Sequence, residues 1–169
     1  MKGGVSDYIR GLRQKIGRDL LLTPAVGGIV LDEQGRILFQ QRTDNGEWHP
    51  PGGAIDPLEA PVDAVVREVW EETGLWVEPT RISGIYNSPE LDITYPNGDR
   101  VAIYSLVFVC RVVGGQLRPD GFESLAVAFF KPEELTEEFL PLRWRRRLAD
   151  ALNNRTDAYF KLPTWQPPG

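Results

Sequence analysis

Cysteine, histidine and methionine each appear once in the 169 residues of this chain. A single cysteine excludes an intrachain disulfide, and one Cys with one His excludes a zinc site built from several such ligands. The lone thiol makes the reducing cytoplasm the expected compartment. Its setting, YSLVFVC, places Cys110 on a buried strand rather than in a catalytic pocket. Long hydrophobic runs are lacking as well, and nothing approaches the ~18 apolar residues of a membrane span. The first residues, MKGGVSDYIRGLRQKIG, carry scattered charges and no apolar centre, unlike a secretory signal. There is no basic excess either: 19 Lys and Arg stand against 24 Asp and Glu, a net charge of −5. That balance argues against nonspecific nucleic-acid binding on a basic surface and leaves small phosphorylated molecules, recognised locally, as fitting partners. With 41% hydrophobic residues the chain can bury one core and is too short for two.

What is present is concentrated in one segment, Gly53 to Leu75, reading GAIDPLEAPVDAVVREVWEETGL. Val62, Val65, Val66 and Val69 recur at helical spacing and predict one apolar stripe. Pro61 suits a first helical turn and Gly74 a C-terminal stop, giving a helix of about 13 residues, roughly 20 Å long. Glu68, Glu71 and Glu72 are related by i, i+3 and i+4, so they share a face, which the same wheel points away from the valines and outward. Arg67, four residues before Glu71, partly offsets their repulsion. Clustered carboxylates are hard oxygen ligands, suited to Mg²⁺ or Mn²⁺. Such a cation neutralises phosphate charge and lowers the pKa of bound water, and a nearby Glu can take the proton.

The spacing of Gly53, Glu59, Arg67-Glu68 and Glu71-Glu72, closed by Gly74, resembles the signature box of the Nudix hydrolases. The resemblance implies an α/β fold, a Nudix-type α/β/α sandwich on a mixed β-sheet. It implies Mg²⁺-dependent hydrolysis (Mn²⁺ as the alternative) of a diphosphate linkage in a nucleoside diphosphate derivative. Nucleoside triphosphates, ADP-ribose, nucleotide sugars, dinucleoside polyphosphates and NADH all stay open. By the same resemblance Glu68, Glu71 and Glu72 bind metal and the Gly53 carbonyl joins them. Arg67 holds a box glutamate, and Glu59 is a further ligand or orienter. The catalytic set is Glu71, Glu72, Arg67 and Glu123, the last as general base or extra ligand near the metals. Trp48, Gly52 and Gly53 match the Trp and Pro-Gly-Gly that lead into such boxes. With Arg42, whose guanidinium fork suits phosphate oxygens, Trp48 and Gly52 form the expected substrate side. Leu58 departs from relatives, many of which have Gly there. A non-catalytic nucleotide-binding module is the alternative reading, although such proteins commonly lose box carboxylates that this chain keeps. Isoprenoid isomerase chemistry would want a pocket cysteine, which Cys110 is not.

Along the chain, three parts are expected: a helical extension over residues 1–20, the hydrolase domain over 21–153, and an irregular tail over 154–169. Ser6-Asp7 caps a first helix ending near Gly17, which packs on the domain or on a second copy in a homodimer. AVGGIVL and RILFQQR flank a hairpin turn at Asp32–Gly35. Strand alternation marks residues 81–88, and Asn97-Gly98 turns a hairpin from residues 91–95 into 101–113. Phe122 to Phe130 adds a strand, Pro132 to Leu135 a helical turn, and Pro141 to Leu152 the last helix. The arginine run RWRRR there reads as a solvated face, and His49 as a loop surface group.

Overall fold

The computed structural model describes residues 7–87, 92–95, 97–153 and 156–161. In chain order its elements are α1 (Asp7–Ile16), β1 (Leu21–Leu31), β2 (Ile37–Arg42), β3 (Trp48–His49), α2 (Pro61–Thr73), β4 (Leu75–Tyr86), β5 (Ile93–Thr94), β6 (Arg100–Gly115), β7 (Ser124–Phe130), a 3₁₀ turn (Pro132–Glu134) and α3 (Leu142–Leu152). The strands form one mixed sheet in the order β3-β2-β1-β6-β4, with β5 on β6 and β7 on β2. Only the β1–β6 pair is parallel among these; its register runs from Leu21 opposite Val101 to Leu31 opposite Arg111.

Helices cover both faces, as the α/β/α expectation requires. On one face Val65 and Val69 of α2 pack with Val26, Val30, Leu38, Phe108 and Cys110. On the other, Trp144 and Leu148 of α3 pack with Ile29, Phe39, Tyr86 and Val107. The Gly27-Gly28 pair in β1 sets how closely the layers approach. A Cβ on Gly27 would lie 2.9 Å from the Trp144 ring, and one on Gly28 would lie 3.0 Å from Val69. Cys110 is buried, and burial pushes its thiol up to about 12, so it is an inert core group.

The box helix has the expected 13 residues, with Pro61 in its first turn and Gly74 as a left-handed cap whose N–H bonds the Trp70 carbonyl. The stripe is narrower than its spacing predicts: Val65, Val69 and Ala64 are buried, whereas Val62 is 45% exposed because it lies before the helix reaches the sheet. Another departure is β4, which begins at Leu75, directly after the cap, rather than at Arg81. The Asp32 hairpin forms, with Asp32 N–H donating to the Arg36 carbonyl at 3.1 Å. The Asn97-Gly98 turn also forms, Gly98 donating to the Tyr95 carbonyl at 2.8 Å. Leu91, Pro96, the Ser6 cap and the tail beyond Lys161 lie outside the described residues. No residue of α1 is buried; Arg13 ties it to the sheet by donating to the Arg100 carbonyl at 2.7 Å. Of the expected tail, only residues 156–161 are described. Tyr159 exchanges backbone hydrogen bonds with Ser83 and Ile85 on β4 and stacks on Tyr86 at 5.2 Å between ring centroids.

Candidate active site

The site forms where residues 51–55 run back along β1. Val26 N–H donates to the Gly53 carbonyl at 2.9 Å, Gly28 to Pro51 at 2.8 Å, and Ile55 to Pro24 at 3.1 Å. This pairing presses the Gly52-Gly53 backbone onto the carboxylates of α2. A side chain at Gly52 would strike the Val26 carbonyl, and one at Gly53 would strike the Glu68 carboxylate. Glu72 accepts the Gly52 N–H at 2.8 Å on one oxygen, while its other oxygen, Oε1, is buried without a partner.

Thus two of the three glutamates do not point outward, as the helical wheel predicts, while the Glu71 side chain stays 36% exposed. Glu72 is 2% exposed and the Glu68 side chain 12%, because the glycine-rich segment covers what the helix alone would leave in water. Burial pushes the Glu68 carboxyl up to about 7, helped by the charges of Glu123 and Glu71 against the pull of Arg67. Burial also drives Glu72 well above the ordinary carboxylate range, with Glu68 and Glu123 adding to it. Glu123, on the approach to β7, is therefore close enough for its charge to act on both.

Arg67 organises the rest. Its Nε and Nη2 donate to Glu59 at 2.7 and 2.9 Å, and Nη1 reaches Glu68 at 2.7 Å and Glu71 at 3.1 Å. Nη2 also donates to the Ala54 carbonyl at 3.1 Å, so one guanidinium joins helix, loop and three carboxylates. Among the described residues no three His, Cys, Asp or Glu side chains already surround one point. Arg67 draws Glu59, Glu68 and Glu71 towards itself instead. The donor chemistry still fits a hard divalent cation. Glu68 and Glu72 are both held above the ordinary carboxylate range, and Glu72 Oε1 is buried unpaired, a setting that a 2+ charge would relieve.

A profile of the NUDIX domain matches residues 21–152. This chain belongs to the NUDIX hydrolase family. It is 39% identical to a MutT-like protein of Streptomyces ambofaciens over 129 residues, 76% of each chain. It is 32% identical to a putative 8-oxo-dGTP diphosphatase of Bacillus subtilis strain 168, over 76% of this chain and 79% of that protein. In structure it resembles an ADP-ribose pyrophosphatase of Streptococcus suis 89-1591, with a TM-score of 0.63 and 28% identity over 82% of this chain and 96% of that one.

Within the Nudix frame, most expected positions converge. Glu68, Glu71, Glu72, Glu59, Arg67, Gly52 and Gly53 meet at the loop–helix junction, and Glu123, just before β7, is near enough for its charge to act on Glu68 and Glu72. Arg42 ends β2 with its fork on Asp44, at 2.8 and 2.6 Å, and feels the charge of Glu72. Trp48 is placed differently: its ring packs edge-on to Phe130 at 5.1 Å and stacks on Phe139 at 6.5 Å, in the aromatic cluster under α3. His49 is not a surface group. It is 6% exposed on β3, and desolvation together with Arg143 lowers it to about 4. Nor is the arginine run wholly solvated, since Arg147 is buried against the rings of Tyr86 and Trp144 and lowered by desolvation to about 10. Two groups near the carboxylates were not anticipated: buried Gln40, which neighbours Glu72, and Ser124, whose hydroxyl donates to Gln40. The polar Gln40 inside the apolar RILFQQR strand was the available signal.

Proposed function

We propose that this protein hydrolyses the diphosphate linkage of a nucleoside diphosphate derivative, using Mg²⁺, or Mn²⁺, held by Glu68, Glu71 and Glu72 with the Gly53 carbonyl. The observation that carries this reading is the pair of glutamates beneath Gly52-Gly53: Glu68 against Gly53, and buried Glu72 on the Gly52 N–H with its Oε1 unpaired. A bound cation would supply charge neutralisation of the phosphates and a more acidic water. The chain's own groups have separate tasks. Arg67 and the Gly52 N–H fix the carboxylate orientations. Arg42 exchanges Asp44 for a phosphate oxygen, and Gly52, lacking a side chain, lets the loop lie against β1 with its N–H on Glu72. Glu123, whose charge acts on Glu68 and Glu72, is the candidate to receive the proton of the attacking water, with Glu71 and Glu72 as the other carboxylates able to do so. Glu59, engaged by both Arg67 and the Asp56 N–H, orients rather than ligates. The matched relatives include proteins named for 8-oxo-dGTP and ADP-ribose, so both belong in the substrate panel. The lone buried thiol supports a cytoplasmic setting.

The test is a panel of nucleoside triphosphates, ADP-ribose, nucleotide sugars and dinucleoside polyphosphates with Mg²⁺ or Mn²⁺, followed by product identification. Glu71→Gln and Glu72→Gln should each lower kcat by at least about 100-fold while the circular dichroism spectrum stays unchanged. Full activity in both variants would remove them from the metal site.

A further inference from the structure

Gln40 follows the buried apolar run Ile37-Leu38-Phe39 of β2 and is as buried as the run itself. Leu38, two residues earlier, packs with Val65 and Val69 of α2, and alternation along the strand puts Gln40 on that same face. Glu72 continues the stripe of α2, three residues after Val69 and seven after Val65, so it too meets the sheet there. Gln40 is 1% exposed, and its amide acts on the Glu72 carboxylate as a hydrogen-bond donor. The Gly52 N–H is a second donor, at 2.8 Å from Glu72 Oε2, and Oε1 is left bare.

The other end of the amide is fixed as well. Ser124, fully buried at the start of β7, donates its hydroxyl to Gln40 Oε1. That bond selects the amide orientation. Nε2 is left for Glu72, whereas a turned amide would set its oxygen against an ionised carboxylate, two acceptors with no donor. Ser124 is itself held: Asp120 accepts the N–H groups of Phe122, Glu123 and Ser124 at 3.0, 3.0 and 2.9 Å. Thr43 N–H adds a bond to the Glu123 carbonyl at 2.9 Å. Resting on the hydrolase reading above, we propose that Gln40 is a positioning residue that, aimed by Ser124, holds the Glu72 carboxylate with Oε1 left free for the divalent cation. Both residues act through Glu72 rather than on the cation itself. The same bridge, from β7 through β2 to α2, ties the segment that carries Glu123 to the helix that carries Glu72.

The experiment titrates Mn²⁺ against the full chain by electron paramagnetic resonance, which reads free Mn²⁺ without any turnover. Gln40→Met, similar in length and unable to donate, should weaken Mn²⁺ binding about 10–100-fold. Ser124→Ala keeps the amide but not its aim, and should weaken Mn²⁺ about two- to fivefold. In the Gln40→Met background Ser124→Ala should cost nothing further, because no amide is left to aim. The double variant also removes both buried partners together, which is nearly neutral for folding, so its thermal midpoint separates lost structure from lost metal. Unchanged Mn²⁺ affinity in Gln40→Met and in the double variant would overturn the proposal. So would a Ser124→Ala loss as large in the Gln40→Met background as alone. If the unaltered protein binds Mn²⁺ but turns over nothing in the substrate panel, the hydrolase reading falls, and the Mn²⁺ affinities still decide the role of Gln40. An unaltered protein that binds no Mn²⁺ would overturn both.

Discussion

Leu58 has φ of 69°, the one positive φ outside glycine among the described residues, and its side chain is fully exposed. A leucine there strains the backbone, as Cβ crowds the following carbonyl, and buries nothing in return. The sequence marks this position as unusual, since many similar boxes carry glycine, but conveys no reason; the left-handed conformation provides one. Left-handed backbone costs a branched residue about 1–3 kcal/mol, while glycine loses up to about 1 kcal/mol of extra chain entropy on folding. Leu58→Gly should therefore raise stability by about 1 kcal/mol, a few degrees in the thermal midpoint. Differential scanning calorimetry checks it, and a lowered midpoint would mean that Leu58 makes contacts the backbone argument ignores. Activity should not change, because the box carboxylates are held by Arg67 and Gly52, not by Leu58.

At the scale of elements, α2 is a rigid support whose function depends on the loop laid over it. Arg67 spans that joint, donating to Glu59, Glu68, Glu71 and the Ala54 carbonyl from one planar group. A lysine ammonium keeps the charge but cannot reach four acceptors in a fork. Arg67→Lys should lower kcat by about 10–100-fold, the usual consequence of loosening groups that orient metal ligands, with KM nearly unchanged. Steady-state kinetics at saturating Mg²⁺ distinguishes this from simple loss of metal affinity, which added metal would restore. The helix itself was legible: Pro61, the Val65 and Val69 spacing and Gly74 are local signals, and its length follows from them. The orientation of the glutamates was not, because periodicity locates a face but not what a distant segment lays upon it. Val62 fails for the same reason in reverse, a stripe residue that the sheet does not reach. Hairpins with Asp32–Gly35 and Asn97-Gly98 turns were readable from turn chemistry, whereas the parallel β1–β6 pair joins segments about 80 residues apart and leaves no local trace. Tyr159 on β4 is legible only once Tyr86 and Ser83 are seen to offer it a docking edge.

For the whole molecule, the sheet separates two opposed electrostatic settings. Beneath the Gly52-Gly53 loop, buried acids are held above their ordinary range; beside α3, a buried base is held below its own. The two respond oppositely to acid. His49 is neutral in the fold and titrates at about 4, while in the unfolded chain it takes up a proton near 6.5. Because its folded pKa is depressed, the unfolded state binds more protons between those values. The stability that neutral His49 represents is present above about 6.5 and is lost as the pH falls towards 4, with a limit on the order of 3 kcal/mol. Glu68 has the contrary sign: its folded carboxyl stays protonated up to about 7, so it stabilises at low pH and that stabilisation fades as the pH rises from the unfolded value near 4.5. The raised Glu72 acts in the same sense as Glu68. A raw stability curve therefore mixes the two, and the difference between the unaltered protein and His49→Gln isolates the histidine. Glutamine keeps an acceptor for Arg143 and cannot titrate. Urea unfolding of both proteins from pH 7.5 to 4.5 should show the unaltered chain losing up to about 2–3 kcal/mol relative to His49→Gln across that range. Parallel curves would mean that Arg143 and Glu47 relax around a charged His49, and that this face of the sheet is softer than its packing against Trp144 implies.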